Sequence, residues 1–328
     1  MEDKPMEDKR RSSLAELKRE ASQRGVTPVK GHRGHKQTWI TAIDASKRRA
    51  VARGAEWLPR LVPVSTVMVH RLRVADIMTG YRHEPTAWQC ARSLFMLHNE
   101  TLNIWTHIIS IAFYVAMIVR LYATPDEVFG RAITINERRI FMLHCLGNCA
   151  VFLGSTLYHT FCSLGAQARD TLLLLDIAGI SWMISAEFTS LLLLIFVCSP
   201  KLRLVYCVVV GGPLLAMVAA PLYSKLVRNA LLVLTSAFSL VPMVHFTSML
   251  TVEAQWFFVK PMVGGLLSYG VGFVIFQGRL PERFAPGGFD TFGMSHTIWH
   301  CFIFAASLSM HSTIVHMLRE PALFNRVC

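Results

Sequence analysis

Long apolar stretches alternate with short polar connections over most of this chain. Seven of them, at about 102–122, 140–163, 171–198, 202–221, 229–250, 256–277 and 296–318, have the length and character of membrane-crossing helices, each of which needs about 20 apolar residues. The pattern predicts an all-α polytopic membrane protein, a seven-transmembrane helical bundle with short connections. Ahead of the first span the pattern changes. Residues 1–70 read as a basic N-terminal arm, 71–101 as a juxtamembrane, interfacial segment, 102–318 as the seven-helix domain and 319–328 as a short tail. Within the juxtamembrane region, 64–92 reads as an amphipathic helix lying at the inner interface.

Composition agrees with the pattern. Of 328 residues 53% are hydrophobic and 16% charged, against about 25% charged in an ordinary soluble protein. The net charge of +12 is uneven: residues 1–100 contribute +8, and the more than twofold longer remainder +4. Lys47, Arg48, Arg49, Arg53, Arg60, Arg71 and Arg73 precede the first span, and basic residues favour the cytosolic side. The N-terminus is therefore expected to be cytosolic and the C-terminus, seven spans later, exofacial. Lys201 and Arg203 run against this orientation, whereas Lys225 and Arg228 favour it.

The arm opens on a tandem repeat, Met1-Glu-Asp-Lys and Met6-Glu-Asp-Lys, too polar to build a core. At 13–44, stripes of Leu14, Leu17 and Ala21 and of Trp39, Ile40 and Ile43 flank a basic loop. This resembles the SAP-type helix–loop–helix module, although anionic lipid headgroups suit such an arm better than nucleic acid. The apolar start of a secretory signal is not seen. Cys145, Cys149, Cys198, Cys207 and Cys301 lie in or beside apolar runs and read as small buried hydrophobes rather than disulfides or ligands.

Ionisable side chains are costly in a membrane span and mark functional or paired positions. Here they are His107, His144, His159, Asp176, Glu187, His245, His296, His300, His311 and His316. His296 and His300, four residues apart, share one helical face. In an up-and-down bundle the end of span two (His159), the start of span three (Asp176) and the start of span seven (His296, His300) fall at one depth, on the cytosolic side. Three neutral imidazoles leave a tetrahedral zinc ion one open position for water, and zinc lowers the pKa of that water to about 7. Asp176 is then the expected proton acceptor. Ser155, one turn before His159, is the expected hydrogen-bond donor near the water or a substrate carbonyl. An apolar chamber would suit a lipid amide or ester. The same residues could instead clamp the helices around a structural zinc. His311, about 16 Å further along its helix at 1.5 Å per residue, is excluded from the set. His107, His144 and His245 read as interhelical hydrogen-bond partners.

Several motifs then combine. Gly80-Tyr81-Arg82 is followed by Leu97-His98-Asn99-Glu100-Thr101-Leu102-Asn103-Ile104-Trp105-Thr106-His107, and later by Ser155-Thr156-Leu157-Tyr158-His159 and Leu175-Asp176-Ile177-Ala178-Gly179-Ile180. Met243-Val244-His245-Phe246-Thr247, Gly278-Arg279-Leu280-Pro281-Glu282-Arg283 and Ser295-His296-Thr297-Ile298-Trp299-His300 complete the series. In this order, over about 80–316, they resemble the progestin and adipoQ receptor family, which includes haemolysin-III-related proteins, and most of all its adiponectin-receptor branch. The resemblance implies seven helices and zinc on the residues matching His159, His296 and His300, with a water near those matching Asp176 and Ser155. It also implies a site similar to that of the alkaline ceramidases, and either hydrolysis of a ceramide-like lipid amide to a sphingoid base and a fatty acid or ligand-gated signalling in lipid homeostasis. A receptor with structural zinc and a haemolysin- or channel-like protein are the competing readings. Ile177 stands where the family often has Tyr, removing one hydroxyl near the site. The short tail and outer loops make an animal hormone a poor default ligand. The plasma membrane and an internal membrane are both expected locations.

Overall fold

The computed structural model of the chain describes residues 58–66, 74–218 and 225–324. The helix–loop–helix expected at 13–44 lies outside them. A two-residue antiparallel pair, β1 (Leu61–Val62) and β2 (Tyr81–Arg82), precedes the short helix α1 (Ala87–Arg92). Then follow α2 (Thr101–Ala123), the five-residue α3 (Pro125–Phe129), α4 (Ile135–Phe161), α5 (Ala166–Ile195), α6 (Pro200–Val218), α7 (Lys225–Ser248), α8 (Val252–Gly278) and α9 (Ser295–Arg319). Among the described residues, five helices are long and apolar enough to cross a membrane, namely α2, α4, α5, α8 and α9.

Local chemistry sets the boundaries. Thr134 and Glu137 form a reciprocal capping box at the start of α4, and Arg131 holds the Glu137 carboxylate at 2.6 Å. The helix therefore begins five residues earlier than hydropathy suggests, because a capping box satisfies the first free N–H groups wherever the apolar run begins. Thr251 caps α8 through the N–H of Ala254, and Arg279 closes that helix in the left-handed conformation.

The helices are assembled by close approach at small residues. A Cβ at Gly147 would lie 2.3 Å from that of Ala186, and one at Gly179 would lie 2.8 Å from the Val151 backbone. Within a bilayer, where apolar side chains gain little from leaving lipid, such close contact draws helices together. It brings α4 and α5 side by side along their length and places Ser155 beside the start of α5. Tyr114, Phe141, Phe152, Met183, Leu191 and Ile314 lie in the core. Val119, Leu153, Leu204, Val208, Leu267 and Val274 point outward and are exposed. That outward apolar coat is what a lipid-facing surface requires.

Two expectations fail here. Residues 64–92 do not form one amphipathic helix: among the described residues 64–66 and 74–92 the segment holds a 3-10 turn (Val64–Thr66), β2 and α1. Gly80 turns the chain at φ +80, and a Cβ there would meet the Asn99 nitrogen at 2.9 Å, so a continuous helix cannot pass. Asp290 also anchors this segment, accepting from the N–H of Met78 (2.9 Å) and of Thr79 (2.7 Å). The second failure is Cys198, which is disulfide-bonded and exposed in the turn after α5 rather than buried as a small hydrophobe. Cys145, Cys149, Cys207 and Cys301 are free, as expected, although Cys301 is exposed.

Candidate metal centre

His159 lies in the last turn of α4, while His296 and His300 occupy the first two turns of α9. These ends meet. One ligand nitrogen from each imidazole lies within 4.8 Å of the others, and the three side chains form a buried group that could hold a metal ion. The Nε2 atoms of His159 and His296 are 3.2 Å apart. Two nitrogens on a tetrahedral zinc, each about 2.0–2.1 Å from it, would be separated by about 3.3 Å.

The outer nitrogens of two of the imidazoles are engaged as in metal-binding histidines. His159 Nδ1 lies 2.7 Å from Glu100 Oε2, and His300 Nδ1 lies 3.1 Å from the Asn103 carbonyl. Each Nδ1 can donate its proton outward, leaving the Nε2 lone pair directed inward. This is the usual carboxylate or carbonyl support for a metal-binding histidine. Burial would raise the pKa of the Glu100 carboxyl, but the adjacent His159 and the Asn103 side chain hold it well below the ordinary range. It is therefore the ionised partner.

A wider scaffold fixes these groups. Asn103 Nδ2 donates to Glu100 Oε2 at 2.7 Å, and Thr297 donates to Asn103 Oδ1 at 2.6 Å. One amide thus links α2 and α9 to the carboxylate that holds the α4 histidine. Arg82, 5% exposed, donates from Nη2 to the His159 carbonyl (2.6 Å), and from Nη1 to the Thr160 carbonyl (2.7 Å) and Ser93 Oγ (3.0 Å). Its guanidinium satisfies carbonyls left free at the end of α4. Glu282 accepts from the Ser295 N–H at 2.8 Å and from the Ser295 hydroxyl, securing the start of α9.

Asp176 and Ser155 lie next to this group. Ser155 and Asp176 lie close enough to interact where α4 meets α5, since a Cβ at the neighbouring Gly154 would sit 3.6 Å from the Asp176 Cα; Asp176 is also close enough to His159 to interact with it electrostatically. Asp176 is not one of the three clustered ligands. His311 is absent from the cluster, as expected; its Nδ1 lies 3.3 Å from His144 Nε2 instead. His245 bonds the Tyr206 hydroxyl at 2.8 Å, joining α7 to α6. His107 departs from expectation. It stacks on His300, with centroids 3.9 Å apart and planes 15° apart, and its Nδ1 has no hydrogen-bond partner. It packs against a candidate ligand, because its turn of α2 faces α9 at the level of His300.

Sequence reasoning left Glu100, Asn103 and Arg82 without roles. Each stands within a motif at the mouth of the first span, but no spacing rule connects them to histidines 59 to 197 residues away.

Comparison with known proteins accords with this geometry. The family model described as haemolysin-III related matches residues 95–311. Heptahelical transmembrane protein 1 of Arabidopsis thaliana is 29% identical over 263 residues, covering 74% of this chain and 76% of that protein. The adiponectin receptor protein of Drosophila melanogaster is 26% identical over 254 residues, 74% of this chain and 55% of its own length. Human progestin and adipoQ receptor family member 3 is 27% identical over 256 residues, 74% of this chain and 81% of that protein. The chain spans 55–61% of the length of two of the curated relatives it matches. With apolar helices of spanning length and a family match covering most of the sequence, this is an integral membrane protein and belongs to the haemolysin-III-related family of progestin and adipoQ receptor-type proteins.

Proposed function

We propose that this chain is a seven-helix, receptor-type membrane protein whose histidine cluster holds zinc and hydrolyses a lipid amide of the ceramide class. The observation that carries the catalytic reading is the placement of the Asp176 carboxyl beside Ser155 and His159, where α4 packs on α5 at Gly154. A purely structural ion needs its ligands, but has no use for a carboxyl and a hydroxyl next to them. Zinc in such a site supplies Lewis acidity and makes a coordinated water acidic enough to ionise near neutral pH.

The chain's own residues have defined tasks in that reading. Glu100 and the Asn103 carbonyl fix the imidazole tautomers. Ser155 orients Asp176, which takes a proton from the attacking water. The water oxygen bonds to the amide carbon, the C–N bond breaks, and Asp176 returns the proton to the leaving nitrogen. The products are a long-chain amine and a fatty acid, conserving all atoms of amide and water.

Two features support the orientation. The basic residues before α2 favour a cytosolic N-terminus, and the histidines lie at the end of the bundle where α2 begins. The Cys198 disulfide is at the other end of α5 from Asp176, and disulfides persist on oxidising sides of membranes. Both features support a cytosolic-side site and an exofacial C-terminus.

Purified protein supplied with ceramide tests the proposal. Wild type should release fatty acid, and Asp176→Ala should retain zinc while losing turnover. Equal turnover in both proteins, or none in the wild type, would refute the hydrolase assignment and leave a receptor with structural zinc.

A further inference from the structure

A second polar centre lies deep in the bundle, well away from the histidine cluster. Glu187 is 2% exposed and stands 11 residues after Asp176 on α5, about 16 Å along the helix. A carboxyl at such depth needs a partner. Asn148 Nδ2 donates to it, 3.3 Å from Oε1. Asn148 is committed elsewhere as well: its amide oxygen accepts from Ser307 at 2.8 Å, and its nitrogen donates to the His144 carbonyl at 3.0 Å. Glu187 is thus rigidly placed by neutral groups, with hydrogen-bonding capacity to spare.

That capacity faces a cavity. A space of about 350 Å³ lies between α5, α8 and α9, with Ile184, Met262, Ile303 and Met310 among its apolar walls. Glu187 and Tyr269 supply its polar lining, and among the described residues no lysine or arginine lines it. The Tyr269 hydroxyl is near enough to Glu187 to interact with it, yet it is buried without a hydrogen bond of ordinary geometry. An apolar chamber with few converging polar groups has the form of a small-molecule site.

We propose that this cavity is a binding site for a long-chain primary amine, with the ammonium group held between Glu187 and Tyr269 and the hydrocarbon tail against the apolar walls. An ammonium group supplies three donors to the Glu187 carboxyl and a positive charge that pairs with it once it ionises. A fatty-acid carboxylate offers Glu187 neither a donor nor a positive charge. A long-chain alcohol supplies one donor and no charge. The assignment rests on the cavity and not on the chemistry of the histidine cluster.

The test uses the purified full chain in lipid nanodiscs, with radiolabelled dodecylamine as probe and dodecanol and dodecanoate as competitors. Wild type should bind the amine saturably, with each competitor at least tenfold weaker. Glu187→Gln, nearly isosteric, should weaken binding at least tenfold, and Tyr269→Phe by a few-fold. Gly270→Leu should also weaken it, because Gly270 lines the cavity and a Cβ there meets nothing within 4 Å. His159→Ala should bind the amine as wild type does, even if it has lost metal and hydrolysis. Undiminished binding in Glu187→Gln, or equal affinity for dodecanol, would overturn the proposal. Should Glu187→Gln fail to fold, as judged by its gel-filtration profile, Tyr269→Phe and Gly270→Leu decide: wild-type affinity in both overturns it.

Discussion

The Glu100 carboxylate sits 2.7 Å from Nδ1 of His159, joining the residue just before α2 to the last turn of α4. That contact fixes which imidazole nitrogen carries the proton and which lone pair faces His296 and His300. A negative partner also makes the imidazole a better donor to a cation. Glu100→Gln keeps the shape and removes the charge. Metal affinity measured by chelator competition should fall about 10- to 100-fold. Unchanged affinity would show that Glu100 does not support the site.

Removing all three imidazoles tests the cluster itself. A His159→Ala, His296→Ala, His300→Ala protein should lose about one equivalent of metal per chain, read by elemental analysis of purified protein. Wild-type stoichiometry would place the ion elsewhere.

Arg82 predicts a stability effect distinct from charge alone. Its guanidinium spans the His159 and Thr160 carbonyls and Ser93, a planar arrangement that an ammonium group cannot reproduce. Arg82→Ala should cost about 2–4 kcal/mol, given a net contribution of about 1.5–3 kcal/mol for a hydrogen bond to a charged group. Arg82→Lys should recover less than half of the lost melting temperature. Full recovery would show that charge alone suffices.

His98 gives the mouth of the bundle a sensitivity to acid. Its Nδ1 accepts from the Glu100 N–H at 3.1 Å, and its Nε2 lies 3.2 Å from the Ser93 carbonyl, so the neutral ring satisfies both contacts. Burial, with the Arg82 charge adding to it, lowers its pKa from 6.5 to about 3. Between those values the unfolded chain binds more protons at this position than the folded one, so its contribution to stability is complete above about pH 6.5 and shrinks as pH falls toward 3. His98→Gln should flatten the fall in melting temperature between pH 7 and 5. An identical pH profile in both proteins would contradict this.

The approach of α4 to α5 should tolerate little added bulk. A Cβ at Gly179 would sit 2.8 Å from the Val151 Cα, and backbone cannot swing aside as a flexible side chain can. Gly179→Ala should destabilise by about 1–3 kcal/mol, the usual cost of overpacking, and, under the proposed hydrolase function, should reduce turnover by shifting Asp176 away from Ser155. A wild-type melting temperature would show that the helices can separate without penalty.

Much of this architecture was legible in the chain itself. Apolar runs of spanning length define the helices because a bilayer forces every backbone polar group into local hydrogen bonds. The four-residue spacing of His296 and His300 sets both on one face, and counting spans puts His159 and Asp176 at the same end. The partners of those residues were decided only by tertiary structure. Glu100, Asn103 and Arg82 reach the histidines across helix ends, where contact depends on how the elements dock and not on any local period. His107 became a stacking support for the same reason, and Gly80 turned an apparently amphipathic segment into a strand and a short helix. Helices follow from local hydrogen bonding and hydropathy, which the sequence displays directly. The site follows from the close approach of α4 to α5 and of the start of α9 to α2, which small residues permit but only the assembled bundle specifies.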